Sequence, residues 1–153
     1  MNDPLSFEDS SPRLELPLLH SGQAQKEFFV NEALSRIDAL MHLAVEAETP
    51  LPPADPADGQ NWIIAAQASG EWTGQPEGTL ACRQAGNWIF VVPRDAMQAF
   101  NRAAGQWQVY LGTWKKAAAV QEPIGGATVD AEVRAALAEL VAALKTTGTL
   151  PGA

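Results

Sequence analysis

Cysteine, histidine, tyrosine and positive charge are all scarce in this chain. One cysteine, Cys82, in 153 residues excludes an internal disulfide and any paired-cysteine metal or redox motif, and it implies no oxidising compartment. The two histidines, His20 and His42, stand too far apart along the chain to share a metal locally, so they read as surface or capping residues. Ten Lys plus Arg against 18 Asp plus Glu give a net charge of −8, which argues against nucleic acid or an anionic membrane as partner. No apolar run approaches the ~18 residues that a membrane span requires. The opening Met1-Asn2-Asp3-Pro4-Leu5 lacks the cationic and apolar regions of a signal peptide, so the expectation is synthesis in the cytoplasm. There is no Gly-x-Ser-x-Gly elbow, phosphate loop or His-Glu-x-x-His motif. The expectation is a protein that is not an enzyme and uses no cofactor or metal. A glycosidase pair such as Glu71 with Asp95 is the weak exception, because any acidic domain offers such pairs. For Cys82, a nucleophilic role has no neighbouring base in sequence to support it.

What is present divides the chain into five zones and predicts an α+β fold. Residues 1–20 carry Pro4, Pro12 and Pro17 and read as an extended docking arm, with Leu14, Leu16, Leu18 and Leu19 as its apolar contacts. Residues 21–48 read as one long N-terminal helix, capped by Ser21 and uninterrupted by Gly or Pro after Gln23. On it Val30, Leu34, Ile37 and Met41 follow a heptad-like seam, with Lys26, Glu27, Glu32, Arg36 and Asp38 largely off the stripe. That seam either covers the chain's own sheet or joins copies of the chain. Residues 49–59, with prolines at 50, 52, 53 and 56, read as a stiff linker.

Residues 60–118 read as a small antiparallel β domain, built of hairpins or a partial barrel, with strands starting near Trp62, Trp88 and Trp107. A second helix over 127–147 follows, capped by Thr128 or Asp130 and preceded by a Gly125-Gly126 hinge. Val133, Leu137, Leu140 and Leu144 repeat the seam, packing either on the β domain or in a bundle of identical helices.

Five tryptophans accompany a single tyrosine. Gly-x-Trp occurs at Gly70-Glu71-Trp72, Gly86-Asn87-Trp88, Gly105-Gln106-Trp107 and Gly112-Thr113-Trp114, with Gly59-Gln60-Asn61-Trp62 as a variant. Each ring is thereby expected at the start of a strand, where glycine closes the turn and the indole covers a thin core. The alternative is that exposed rings among Trp72, Trp88, Trp107 and Trp114 stack on sugars.

The run from Leu16 through Gln23-Ala24-Gln25-Lys26 and Asn31-Glu32-Ala33-Leu34, then Pro53–Gly59, the Gly-x-Trp turns and Val92-Pro93-Arg94, resembles the alphaproteobacterial domain of unknown function 2793. Members of that family occur in prophages and gene transfer agents, beside or within fibre-like proteins. The resemblance implies a structural part of a phage-like particle, such as a head spike, tail fibre or adaptor. It assigns no catalytic residue. It also implies a homotrimer in the bacterial particle that docks to other capsid or tail proteins through residues 1–20; the alternative, resting on the tryptophans, is a capsule or glycan-binding module with bacterial surface polysaccharide as its partner. The absence of a large region after the second helix favours an adaptor or small spike over a receptor-cutting enzyme.

Overall fold

The computed structural model describes residues 9–22, 24–121, 125 and 130–152. Thr128 as an alternative cap, Gly126 of the expected hinge and residues 1–8 of the arm lie outside them. The described chain is mixed α and β. Its elements are α1 (Lys26–Leu40), β1 (Ala44–Val45), β2 (Glu48–Thr49), β3 (Asn61–Ile64), a 3-10 turn (Gly70–Trp72), β4 (Leu80–Gln84), β5 (Asn87–Val91), β6 (Gln98–Asn101), β7 (Gln106–Tyr110), β8 (Trp114–Lys116) and α2 (Ala131–Thr146).

The chain forms two compact units. The first joins residues up to Leu43 with Glu48–Val92, and the second joins Ala44–Ala47 with Pro93 onward. Each holds one four-stranded sheet, with strand orders β2-β3-β4-β5 and β1-β6-β7-β8. The two sheets share a plan. A two-residue edge strand pairs in parallel, β2 with β3 and β1 with β6, and three antiparallel strands follow.

This architecture corrects the expected fold. The single antiparallel β domain over 60–118 is replaced by two sheets, each with a parallel pair. The expected long helix over 21–48 is replaced by the 15-residue α1. Its start is delayed because Ala24 and Gln25 hold left-handed backbone, φ 57° and 64°, which cannot continue a right-handed helix. Its end comes at Leu40, where Met41 turns to extended backbone and His42 takes φ 49°. Residues 44–49 carry no breaker before Pro50, and helix propensity alone would let α1 run on. Tertiary pairing overrides that preference. Leu43 and Val45 are buried, and the segment gives one short strand to each sheet.

In the first unit the core is Trp62, Ile63, Ile64, Trp72, Leu80, Ala81 and Cys82, drawn chiefly from the two central strands. Ala85 and Gly86, at φ 48° and 71°, form the two-residue loop between paired Gln84 and Asn87. Positive φ at both central positions is the hairpin geometry that matches strand twist. The proline-rich segment lies along this unit: Thr49 O accepts from Ala65 N and Pro50 O from Ser69 N, both at 3.0 Å. Asp58 Oδ1 accepts from Gly86 N at 2.9 Å.

In the second unit α2 begins at Asp130, whose carboxylate accepts from Val133 N at 3.0 Å, the usual capping bond for an otherwise unpaired helix-start N–H. After the helix, Gly148 packs so close to the aromatic rings of β6 and β7 that an added Cβ would lie 2.8 Å from Phe100. Its φ of 70° and that approach both require glycine.

Candidate functional site

The arm forms hydrogen bonds within its own unit. Asp38, on α1, is fully buried, where an unpartnered carboxylate would be costly. It accepts from Ser11 Oγ at 2.6 Å, Leu14 N at 2.7 Å and Arg13 N at 3.2 Å. The Arg13 guanidinium donates in turn to Asp38 O at 2.5 Å, Ala39 O at 2.8 Å and His42 O at 2.9 Å. The first two are carbonyls at the end of α1 that the helix itself leaves unpaired, where a cation also suits the helix dipole, and His42 lies just past it. Asn31 closes a second clasp through Leu19, donating to its O at 2.9 Å and accepting from its N at 2.8 Å. The sequence places Asp38 largely off the apolar stripe of the helix. Nothing in its spacing marks it as buried, since its partners lie 24 to 27 positions away.

This polar anchor inverts α1. Its buried residues are Asp38 and Ala39, while Phe29 is 71%, Ile37 45% and Met41 49% exposed. Val30 is exposed too, and Leu34 is half-buried. The four seam residues therefore lie mostly on the outer side of their own unit. The same holds for α2, where only Val141 is buried. Val133 is 62% and Leu140 56% exposed, Leu137 is exposed and Leu144 half-buried. Two separate helices thus present aliphatic side chains to solvent.

The tryptophans fall into two groups. Trp62, Trp72 and Trp88 pack edge to face or tilted, with centroids 5.2 to 6.4 Å apart, the arrangement that aromatic quadrupoles favour. Trp72 has no exposed surface, so it offers no face to a sugar. It also sits in the 3-10 turn, not at the start of a strand, which corrects its expected placement. Trp88 is half-buried. Its N–H donates to a Glu71 carboxylate oxygen at 2.7 Å, and Arg83 lies 5.2 Å over its ring. In the second unit Trp114 is half-buried against Tyr110. Trp107 is the outlier, held at the edge by Phe100 at 5.4 Å yet 44% exposed.

The carboxylates considered for hydrolysis each accept a hydrogen bond within their own unit. Glu71 is bonded to Trp88, and Asp95 accepts from Gly112 N at 3.0 Å. Burial pushes the Cys82 thiol up to about 12, against weaker opposing pulls from Arg13 and Arg36. At neutral pH it is an inert core thiol, since the thiolate is the nucleophile. Among the described residues no three of His, Cys, Asp and Glu gather as a metal site, and no helix is long and apolar enough to cross a membrane.

Fold and surfaces together define a two-unit α+β protein with outward-facing apolar helices. The family model described as a protein of unknown function (DUF2793) matches residues 30–115. That is more than half of the 153 residues, and the chain belongs to this family. The matched span runs from α1 to β8 and contains the Gly-x-Trp turns. No curated protein matches the chain.

Proposed function

We propose that this protein is a non-catalytic structural component that assembles as a homotrimer through α1 and α2 and serves in a phage-like particle, as a head spike, tail fibre or adaptor at the host surface. The observation that carries the assembly reading is the inversion of α1 together with the bare face of α2. Each exposed aliphatic side chain gives up burial worth roughly 1.5–3 kcal/mol, and adjacent exposed positions on one helix mark an interaction surface more than scattered ones do. The heptad-like spacing of both seams suits packing against copies of the same helix. The particle reading rests on the resemblance, whose members accompany fibre genes, and fibres and spikes are commonly threefold.

The test is mass by light scattering at tens of micromolar, where a trimer of the 16.3 kDa chain is expected. Ile37→Asp and Leu140→Asp change side chains exposed in the protomer, so the fold should persist by circular dichroism while the trimer dissociates. A monomeric wild type, or a double variant that stays trimeric, defeats the proposal.

A further inference from the structure

We propose that the exposed face of the second sheet around Trp107 is a binding site for an acidic saccharide, a chain containing uronic acid residues. The proposal deepens the surface-attachment part of the reading above and is independent of its assembly part, because every residue it uses belongs to one protomer.

Four observations converge on that face. Trp107 lies in the middle of the sheet on β7, and two contacts fix its ring. Phe100 meets it edge to face, and the turn after α2 lies beside it, with a Cβ built on Gly148 3.5 Å from Trp107 Cδ1 and the Trp107 backbone N–H donating to Gly148 O at 2.7 Å. A large indole this well positioned and still 44% exposed presents a ready apolar surface, and rigid rings bind at little entropic cost.

The ring also borders a concavity of about 510 Å³ whose lining includes Gln98, Val109, Lys115, Lys116 and Thr149. Strand register sets part of this group side by side. Gln98 pairs with Val109, and Val109 pairs with Lys115, so the three form one cross-strand row beside Trp107. No acidic residue lines the concavity. Neither lysine has a carboxylate partner among the described residues, although acidic residues outnumber basic ones 18 to 10 in the chain.

Each part of a uronate ring has a counterpart here. The apolar face of the pyranose stacks on Trp107, the carboxylate meets the Lys115 ammonium, and hydroxyls meet the amide of Gln98 and the hydroxyl of Thr149, while Lys116, paired with Gln108, starts on the opposite face of the sheet. A nucleic acid is the less fitting anion. One lysine on this face neutralises few phosphates, and the net charge of −8 repels a polyanion that depends on counterion release. A saccharide with spaced carboxylates and stacking faces needs less positive charge.

The test is titration with an oligogalacturonide, read by tryptophan emission and by chemical-shift changes at Trp107 and Lys115. Binding in the millimolar range or tighter is expected, weakening as salt is raised because the charges are exposed. Trp107→Ala should weaken it about tenfold or more. Since that change also removes the Phe100 contact, Lys115→Gln is the control that leaves the fold alone, and it should weaken binding several-fold. Repeating the titration on the Leu140→Asp variant separates binding from assembly. The proposal is overturned by any of three results: no response at about 10 mM saccharide, equal affinity for a neutral maltooligosaccharide of the same length, or unchanged affinity in both variants. Tighter binding of a single-stranded oligonucleotide at the same residues would overturn it in favour of a different ligand class.

Discussion

At Asp38 the arm, the helix and the sheet of the first unit meet in one carboxylate. Ser11, Arg13 and Leu14 donate to it from the arm, and Gln84 approaches from β4 at 3.4 Å. Replacing it with alanine strands several buried donors at once, and the loss of one side of such a network costs about 3–5 kcal/mol. Urea unfolding of Asp38→Ala is expected to show that loss, with the arm becoming sensitive to protease. Cys82 supports a second residue-scale prediction. Its thiol holds its proton to about 12 when folded, against an ordinary value of 9.0. Above pH 9 the unfolded chain therefore binds fewer protons than the native one, and stability falls as pH rises through that window. Native protein at pH 8 should resist thiol alkylation, while urea-unfolded protein should be labelled promptly. Between Ala81 and Arg83, Cys82 reads as a small strand residue, and the structure places it on β4. The burial of Asp38 was hidden, because the groups that satisfy it lie far off in the chain and leave no periodic trace.

The elements differ in how much of each could be read in advance. The hairpin at Ala85-Gly86 was legible because two-residue turns demand particular φ angles and glycine supplies one of them. The cap at Asp130 was legible for a similar reason, as a local bond between a carboxylate and the third N–H beyond it. The true length of α1 was hidden, since its ends are set by left-handed residues at 24 and 25 and by strands that pair with partners about 15 and 56 positions further on. The helix seams were legible as patterns, but a pattern does not say which way a face points. α2 illustrates the consequence. It has 16 residues with little of its surface covered, and isolated helices of that length are marginal in water. If its seam joins copies of the chain, helix content should rise with protein concentration across the assembly range. Circular dichroism over a dilution series checks this, and the Leu140→Asp variant should show a flat, lower signal.

For the whole molecule, the most telling feature is the six-residue stretch from Ala44 to Thr49. It gives β1 to the second sheet and β2 to the first, so neither unit is a continuous piece of chain. A fragment of residues 93–153 carries β6, β7 and β8 but leaves the outer edge of β6 bare, and unpaired edges invite association. That fragment is expected to aggregate or fold poorly, whereas the same fragment with residues 44–47 joined ahead of it by a flexible linker, which restores β1 alone, should be better behaved. Comparing the amide dispersion of both fragments by NMR decides the point. The interleaving also bears on how such genes change. A single recombination crossover that replaced one unit with a relative's would divide a sheet between two parents, leaving an edge strand from one paired with a neighbour from the other. The two sheets are therefore expected to be exchanged only as a pair, since a crossover near Val92 would part β1 from β6.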